Sequence, residues 1–445
     1  MAISALDSKL YGSLLTTSRI TELFSDASHV RHLLKVEAAL ARAQAKLGVI
    51  PVAAAQSIVA AAQTLPLDLE ALRLGIEHDG FPVIELVRQL REHVGLEAAA
   101  FVHFGATTQD IMDSALVLQI RQVLELLETD LKALIKSLSS LASRHRNTIM
   151  VGRTHSQQAL PITFGLKVTG WIAPLLRHHT RLQELKPRVL VVQFGGAVGT
   201  LASLDDLGLS VQAGLAQELG LHLPVMPWHT QRDSILELAG WLSMHSSSLG
   251  KMAQDILLMA QSEIAELRET GDTTRGGSST MPQKSNPITS ELILMAARLN
   301  ASLLSGLHNA AVQEHERGTH GWQVEWLALP QMMAFTAGAL EKSLHLSQSL
   351  VVNETRMLEH VKASNGLMLA EPLSLALAKH MPPNEAKELV KTWVAKALEQ
   401  KQNLIQIARV HTEIPVDWAK LSEDQYLGSS QTLIERVLEK AKEII

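Results

Sequence analysis

The chain has 445 residues, more than one ordinary domain needs, with 46% hydrophobic but only 4% aromatic residues. Its net charge of −5 offers no basic field for nucleic acid, and the absence of cysteine excludes a disulfide framework and thiolate metal sites. Abundant Leu and Ala with so few aromatics favour helices over sheets, so an all-α fold is expected.

Residues 1–100 read as shorter helices. Asp26 or Ser28 can cap a helix through HVRHLLKVEAALARAQAKLG, where Val30, Leu33, Leu34, Ala38, Leu40 and Ala41 form a stripe and Gly48 ends it. Residues 101–350 change character. Long helical stretches are predicted over Thr108–His145, Pro161–Leu185, Gln231–Leu267, Pro287–Val312 and Trp322–Leu350. They far exceed the usual globular helix of about 10–14 residues. In Gln231–Leu267, Ile235, Leu238, Trp241, Leu242, Leu249, Met252 and Ile256 spread over more than one face. Either terminal domains cover those faces or neighbouring subunits do. Residues 351–445 return to short helices broken by Pro372, Pro382–Pro383 and Pro415. The architecture is thus three helical domains with a central long-helix bundle. No apolar run free of charge reaches about 18 residues, and the N-terminus lacks a signal-peptide pattern. A cytoplasmic protein with no membrane partner is expected.

Polar clusters punctuate this frame. His103–Asp110, HFGATTQD, enters a long helix that Thr107 or Thr108 can cap, where free N–H groups suit a carboxylate. Gly152–Thr163, GRTHSQQALPIT, reads as a polar turn before a helix opened by Pro161. PWHTQRDS sets His229, Gln231 and Arg232 at another helix start. Gly276–Glu291, GGSSTMPQKSNPITSE, reads as a serine-rich loop running into a helix with Asn286 as cap and Pro287 first. It is either a flexible surface loop with an ordinary cap, or an anion site built from Lys284, Asn286 and free backbone N–H groups. QEHERGTHGW carries His315, Glu316, Arg317 and His320. It has no helical HxxxH pair, so no metal is expected there. The planar fork of Arg317 suits a carboxylate or phosphate.

GSSTMPQKSNP resembles the signature loop of the fumarase/aspartase superfamily, roughly GSSxMPxKxNP, at Gly277, Ser278, Ser279, Met281, Pro282, Lys284, Asn286 and Pro287. HFGATTQD resembles the superfamily's first region, usually TSxD, with Thr108 in place of the serine, and GRTHSQQALP resembles its second, GxTHxQxAxP. The resemblance spans essentially the whole chain. It implies an L-aspartase-like fold and a homotetramer whose central bundle and shared active sites are built from several chains. It implies Ser278 as the proton-handling residue, with His155 and Lys284 as further catalytic residues. Carboxylate or other substrate contacts fall to Thr107, Thr108, His103, Arg153, Thr154, Gln157, Gln231, Ser279, Asn286 and Arg317. Glu291 and His78, the latter in a turn-like Glu77-His78-Asp79, are supporting positions. No metal or organic cofactor is implied.

Within the superfamily, VLVVQFGGAVGT, PWHTQRD and QEHERGTHGWQVEW most resemble the bacterial 3-carboxy-cis,cis-muconate cycloisomerases of aromatic catabolism. The alternative is β-elimination of the adenylosuccinate lyase type, but those lyases usually carry Arg-Tyr near the N-terminus, and here Leu10 precedes Tyr11. A small tricarboxylate substrate is therefore expected, with His155 either transferring a proton or orienting substrate. A non-enzymatic structural relative is disfavoured by the intact Ser278, Lys284 and His155.

Overall fold

A computed structural model describes residues 3–270, 276–277 and 280–445. The chain forms two compact units, each assembled from separated stretches. One comprises residues 1–130, 178–247 and 295–341, and the other residues 131–177, 248–294 and 342–445. Eight helices and four short strands carry or brace the functional residues. They are α1 (Asp26–Lys46), α2 (Leu69–Asp79), α3 (Thr108–Arg144), β1 (Ile149–Thr154), β2 (Gln157–Thr163), α4 (Phe164–Val189) and α5 (Asp233–Met259). They continue with β3 (Leu267–Arg268), α6 (Ile288–Ala310), α7 (Gly321–Ser349), β4 (Val351–Val352) and α8 (Glu354–Ala363). The fold is all-α, and two two-stranded ladders are the only sheets among the described residues.

In the first unit, α1 buries Leu33, Leu34, Ala38 and Leu40, the face its periodicity predicts. Its cap is neither Asp26 nor Ser28 but Ser25, whose side chain accepts from the Ser28 N–H. Asp68 caps α2, and Gly80, at φ +81°, ends it. Ile111, Leu118, Ile235, Leu238, Leu329 and Met332 are fully or almost fully buried in this unit's share of the long helices. Within that core His245 lies parallel to His178, ring centroids 5.4 Å apart, with Trp241 edge-on at 5.0 Å. Neither ring nitrogen of His245 has a hydrogen-bond partner among the described residues. Burial, and secondarily the facing His178, lowers its pKa to about 3.

In the second unit, Leu373, Leu377, Ala386, Trp393 and Leu404 form the core of the C-terminal helices. Three sequence expectations change here. Pro161 does not open a helix. It pairs with Val151 in an antiparallel hairpin, and α4 starts at Phe164, where the Thr163 hydroxyl accepts from the Leu166 N–H. The helix expected to reach Leu267 stops at Met259. Ala265 then turns at φ +52° and the chain enters β3, which pairs with β4. Pro287 lies just outside α6, which opens at Ile288.

Candidate functional site

The first signature is built around Asp110, which is wholly buried. Its Oδ1 accepts from Gly195 N (2.9 Å) and pairs with His229 Nε2 (2.7 Å). Its Oδ2 accepts from Gly196 N (2.9 Å) and Thr107 N (3.1 Å). One carboxylate in the first turn of α3 thus satisfies that helix's own entry and fixes two distant loops. Arg317 closes the group. It donates to Gln109 Oε1 at 3.0 Å and to the carbonyls of Gly196 (3.3 Å) and Ala197 (2.7 Å). Thr107, Arg317 and His229 therefore meet around the Gly195–Gly196 turn, with Thr108 next along the chain. His103, at φ +63°, pairs through Nδ1 with the buried Glu37 at 2.6 Å. Burial lowers its pKa, but the Glu37 charge and hydrogen bond outweigh that, so the net shift is upward. Gln231 is exposed two residues beyond His229. His78 is exposed at the end of α2, where it pairs with Asp79 at 2.6 Å.

Behind this cluster, Arg232 is buried on both sides by acid. It reaches Asp113 at 2.7 and 3.1 Å and Glu325 at 2.9 and 2.5 Å, while Trp322 Nε1 donates to Asp113 at 3.2 Å. Burial pushes the Glu325 carboxyl above its usual range although Arg232 pulls it back.

In the second unit, β1 and β2 are joined by His155 and Ser156, at φ +46° and +62°. A two-residue turn with both φ positive is the primed hairpin type, normally filled by Asn-Gly. Here two side-chain-bearing residues hold it, at a conformational cost of order 1–3 kcal/mol each. Thr154, His155 and Gln157 are all exposed at this tip. Arg153 is not displayed with them. Its guanidinium makes a bidentate pair with Glu266 at 2.9 and 2.8 Å, and Glu266 also receives His360 Nδ1 at 2.7 Å. Glu266 is wholly buried. The fork expected to bind substrate is thus paired with a buried carboxylate.

Ser278 and Ser279 lie outside the described residues. The neck of their loop is described. Asn286 N donates to Gly276 O at 2.8 Å, and Gly277 bridges Ser285. Gly276 sits at φ +74°, and a Cβ there would stand 2.4 Å from the Asn286 carbonyl oxygen, so only glycine closes this neck. Lys284 is exposed. It lines a cleft of about 930 Å³ with Asn286, Gln261, Arg268, Glu269 and Asn353. The cap of α6 is Glu269 rather than Asn286, because its carboxylate takes Thr289 N (3.0 Å) and Ser290 N (2.7 Å). Those N–H groups are therefore not free for a ligand, and Lys284 and Arg268, with the amides of Asn286 and Gln261, are what the cleft offers an anion. Glu291 is exposed in the first turn of α6. The glutamates Glu266 and Glu269 were not singled out in the sequence. The motif HFGATTQD did contain Asp110, although its organising part is visible only in three dimensions. Among the described residues no group of three or more His, Asp or Glu is placed to hold a metal, and no helix is long and apolar enough to cross a membrane.

A family model described as lyase matches residues 12–299. The 3-carboxy-cis,cis-muconate cycloisomerase of Pseudomonas aeruginosa is 42% identical over 439 residues, covering 97% of this chain and 96% of that protein. The crystal structure of 3-carboxy-cis,cis-muconate lactonizing enzyme from Pseudomonas putida matches with a TM-score of 0.91 at 37% identity, covering 98% of this chain and 100% of that one. That of fumarate lyase from Mesorhizobium sp. BNC1 matches with a TM-score of 0.90 at 41% identity, covering 95% and 98%.

Proposed function

Because this chain belongs to the fumarase/aspartase superfamily of lyases, we propose that it is a cycloisomerase that closes 3-carboxy-cis,cis-muconate to 4-carboxymuconolactone. The observation that carries this reading is full-length similarity to enzymes of that name. The geometry agrees: an exposed lysine and amide line an open cleft, and a strained turn displays His155.

One substrate carboxylate oxygen adds across a C=C bond to form the lactone C–O bond, and the carbon beside another carboxylate takes a proton. A tricarboxylate trianion becomes a dicarboxylate dianion, so one proton is consumed per turnover. The demanding species is the aci-carboxylate, which carries its extra charge on oxygen. Lys284, Asn286, Thr107 and Thr108 stabilise that charge electrostatically, and Arg317 holds a further carboxylate or the turn beside it. Ser278 delivers the proton, with Ser279 beside it. The attacking group is already ionised, so His155 orients and neutralises substrate alongside Thr154 and Gln157. Glu291, His78 and Gln231 support binding. The enzyme is cytoplasmic in this reading and serves aromatic catabolism through the β-ketoadipate route.

Ultraviolet absorbance tests the assignment. The conjugated muconate band falls on adding enzyme, with one proton taken up per lactone, while adenylosuccinate is untouched. Release of fumarate from adenylosuccinate, with muconate unchanged, would replace lactonisation by elimination.

The same reading makes the enzyme a homotetramer with shared sites. The first signature opens α3, whose 37 residues span about 55 Å at 1.5 Å each, and the second follows its end. Met244, Leu258, Leu299 and Leu327 on the long helices stand exposed in the single chain. Subunits carrying Ser278→Ala, refolded with subunits carrying His155→Ala, recover about a quarter of wild-type rate if the two residues come from independent chains. Mixed tetramers with no recovery would place both residues in one chain.

A further inference from the structure

Between the end of α5 and the signature loop, residues 266–269 carry two buried glutamates that face different parts of the second unit. Glu266 is fully buried, and its oxygens are taken by the Arg153 fork and by His360 Nδ1. Arg153 stands two residues before His155 on β1. Glu269, 8% exposed, takes the Thr289 and Ser290 N–H groups at the start of α6, just beyond Lys284 and Asn286. The segment between them is itself fixed. Leu267 and Arg268 pair with Val352 and Val351, and Asn353 N donates to Glu266 O at 3.0 Å. Ser349 Oγ donates to Glu269 O at 2.8 Å. Arg356, on α8, donates to the Ile264 and Glu263 carbonyls at 3.2 and 2.9 Å, and α8 also supplies His360.

The hairpin tip needs such an anchor. His155 and Ser156 hold positive φ without glycine, so the turn persists only where its surroundings impose it. Arg153 is the side chain next to the tip that reaches a buried partner. The opening of α6 needs one as well, because its first N–H groups have no intrahelical acceptor.

We propose that Glu266 and Glu269 are positioning residues for the lactonising reaction, a step that rests on the function proposed above. Glu266 acts through Arg153 on the hairpin that displays His155. Glu269 acts through the α6 N-terminus on Lys284 and Asn286. Glu266 is wholly buried, and Glu269, at the wall of the cleft, has both oxygens taken by the α6 N–H groups. Each sets the placement of groups that touch substrate, and misplacement by about 1 Å costs on the order of 10²-fold in rate.

The experiment pairs kinetics with hydrogen exchange. Glu266→Gln keeps the shape but presents an amide N–H₂ to Arg153. It lowers kcat ~10²-fold, with KM changed less than about threefold. In a His155→Ala background the same change has little further effect, because both act through one turn. Glu269→Gln shows that non-additivity with Lys284→Met and remains additive with His155→Ala. Glu266→Asp, which keeps the charge, recovers part of the rate. Amide exchange needs no substrate. Glu266→Gln speeds exchange across residues 149–163 and not at 288–292, while Glu269→Gln does the reverse. If wild type fails to turn over muconate, the proposed function fails and the exchange pattern still decides the positioning. Should Glu266→Gln not fold, Arg153→Lys removes the bidentate fork from the other side and is read in the same way. A folded Glu266→Gln enzyme with kcat within about threefold of wild type, or exchange rising equally in both segments, overturns the proposal.

Discussion

Arg232 and Arg153 each spend a full fork on buried carboxylate, yet what they hold differs. Arg232 lies just before α5 and grips Asp113 on α3 and Glu325 on α7. Its partners belong to long helices, and although the exposed Gln231 stands next to it, no left-handed turn hangs from it. Arg153 grips Glu266 in a non-helical segment, and two residues further on the chain makes an exposed, strained turn. The first cluster is where loss of a partner strands two buried charges. The second is where loss of a partner leaves the backbone free to relax. The same pairing chemistry therefore serves stability in one place and geometry in the other, and the distinction follows from what each arginine is attached to.

The strongest test on the displayed side is Ser278→Ala, expected to lower kcat at least ~10³-fold while the melting temperature stays unchanged. A variant retaining a few tens of per cent of the rate would move the proton to another group, Ser279 first. On the buried side, Arg232→Met leaves Asp113 and Glu325 uncompensated, and removing one partner of such a cluster costs about 3–5 kcal/mol. Urea denaturation reads this directly. A loss below about 1 kcal/mol would erase the contrast with Arg153.

Lys284→Met is expected to raise KM and lower kcat together, with kcat/KM falling ~10²-fold, since an exposed cation meets the substrate carboxylate in ground and transition states alike. An unchanged KM would confine it to the intermediate. The smallest effect concerns His245, which belongs to neither arginine cluster. Its folded pKa is lowered from 6.5 to about 3, so the protein folds best with the ring neutral. Stability is then complete above the unfolded value of 6.5 and declines as pH falls toward 3. Between pH 6.5 and 5 that amounts to about 2 kcal/mol. His245→Phe removes it, so the variant's melting temperature falls less than wild type's over that range. Parallel decline in the two would assign acid sensitivity to other groups.

The long helices were legible in the sequence because apolar periodicity over more than 20 residues has no competing explanation, and Thr108 and Ile288 begin within a residue of the expected positions. The hairpin at 149–163 was not. It contains Pro161, usually a helix opener, and its turn carries His-Ser rather than a glycine pair. Its register follows from strand pairing, and the partner of its Arg153 is Glu266, more than 100 residues later in the chain. The halt at Met259 was hidden for a related reason. QSEIAELRE contains no proline or glycine, and two of its three glutamates, Glu266 and Glu269, are held by partners distant in the chain. Among the site residues, Lys284 and His155 are exposed, and Thr107 lies in the Asp110 cluster. Arg153 carries the right motif and a different immediate partner, which no local pattern announces.

The interleaving of the two units bears on how the chain is made. Neither unit is complete in any continuous stretch: one needs residues from 1 through 341, and the other needs residues from 131 through 445. A ribosome has therefore delivered most of the polypeptide before either unit can close. Until then the apolar faces of α3, α4 and α5 wait for partners not yet synthesised. Domains that fold one after another as they emerge shield such surfaces early, and this chain does not. A nascent fragment ending at Leu294 lacks part of the first unit and all of the C-terminal helices. Stalled or nicked chains should thus be aggregation substrates rather than folded pieces, and production will depend on chaperone capacity and slow synthesis more than on the stability of the finished enzyme.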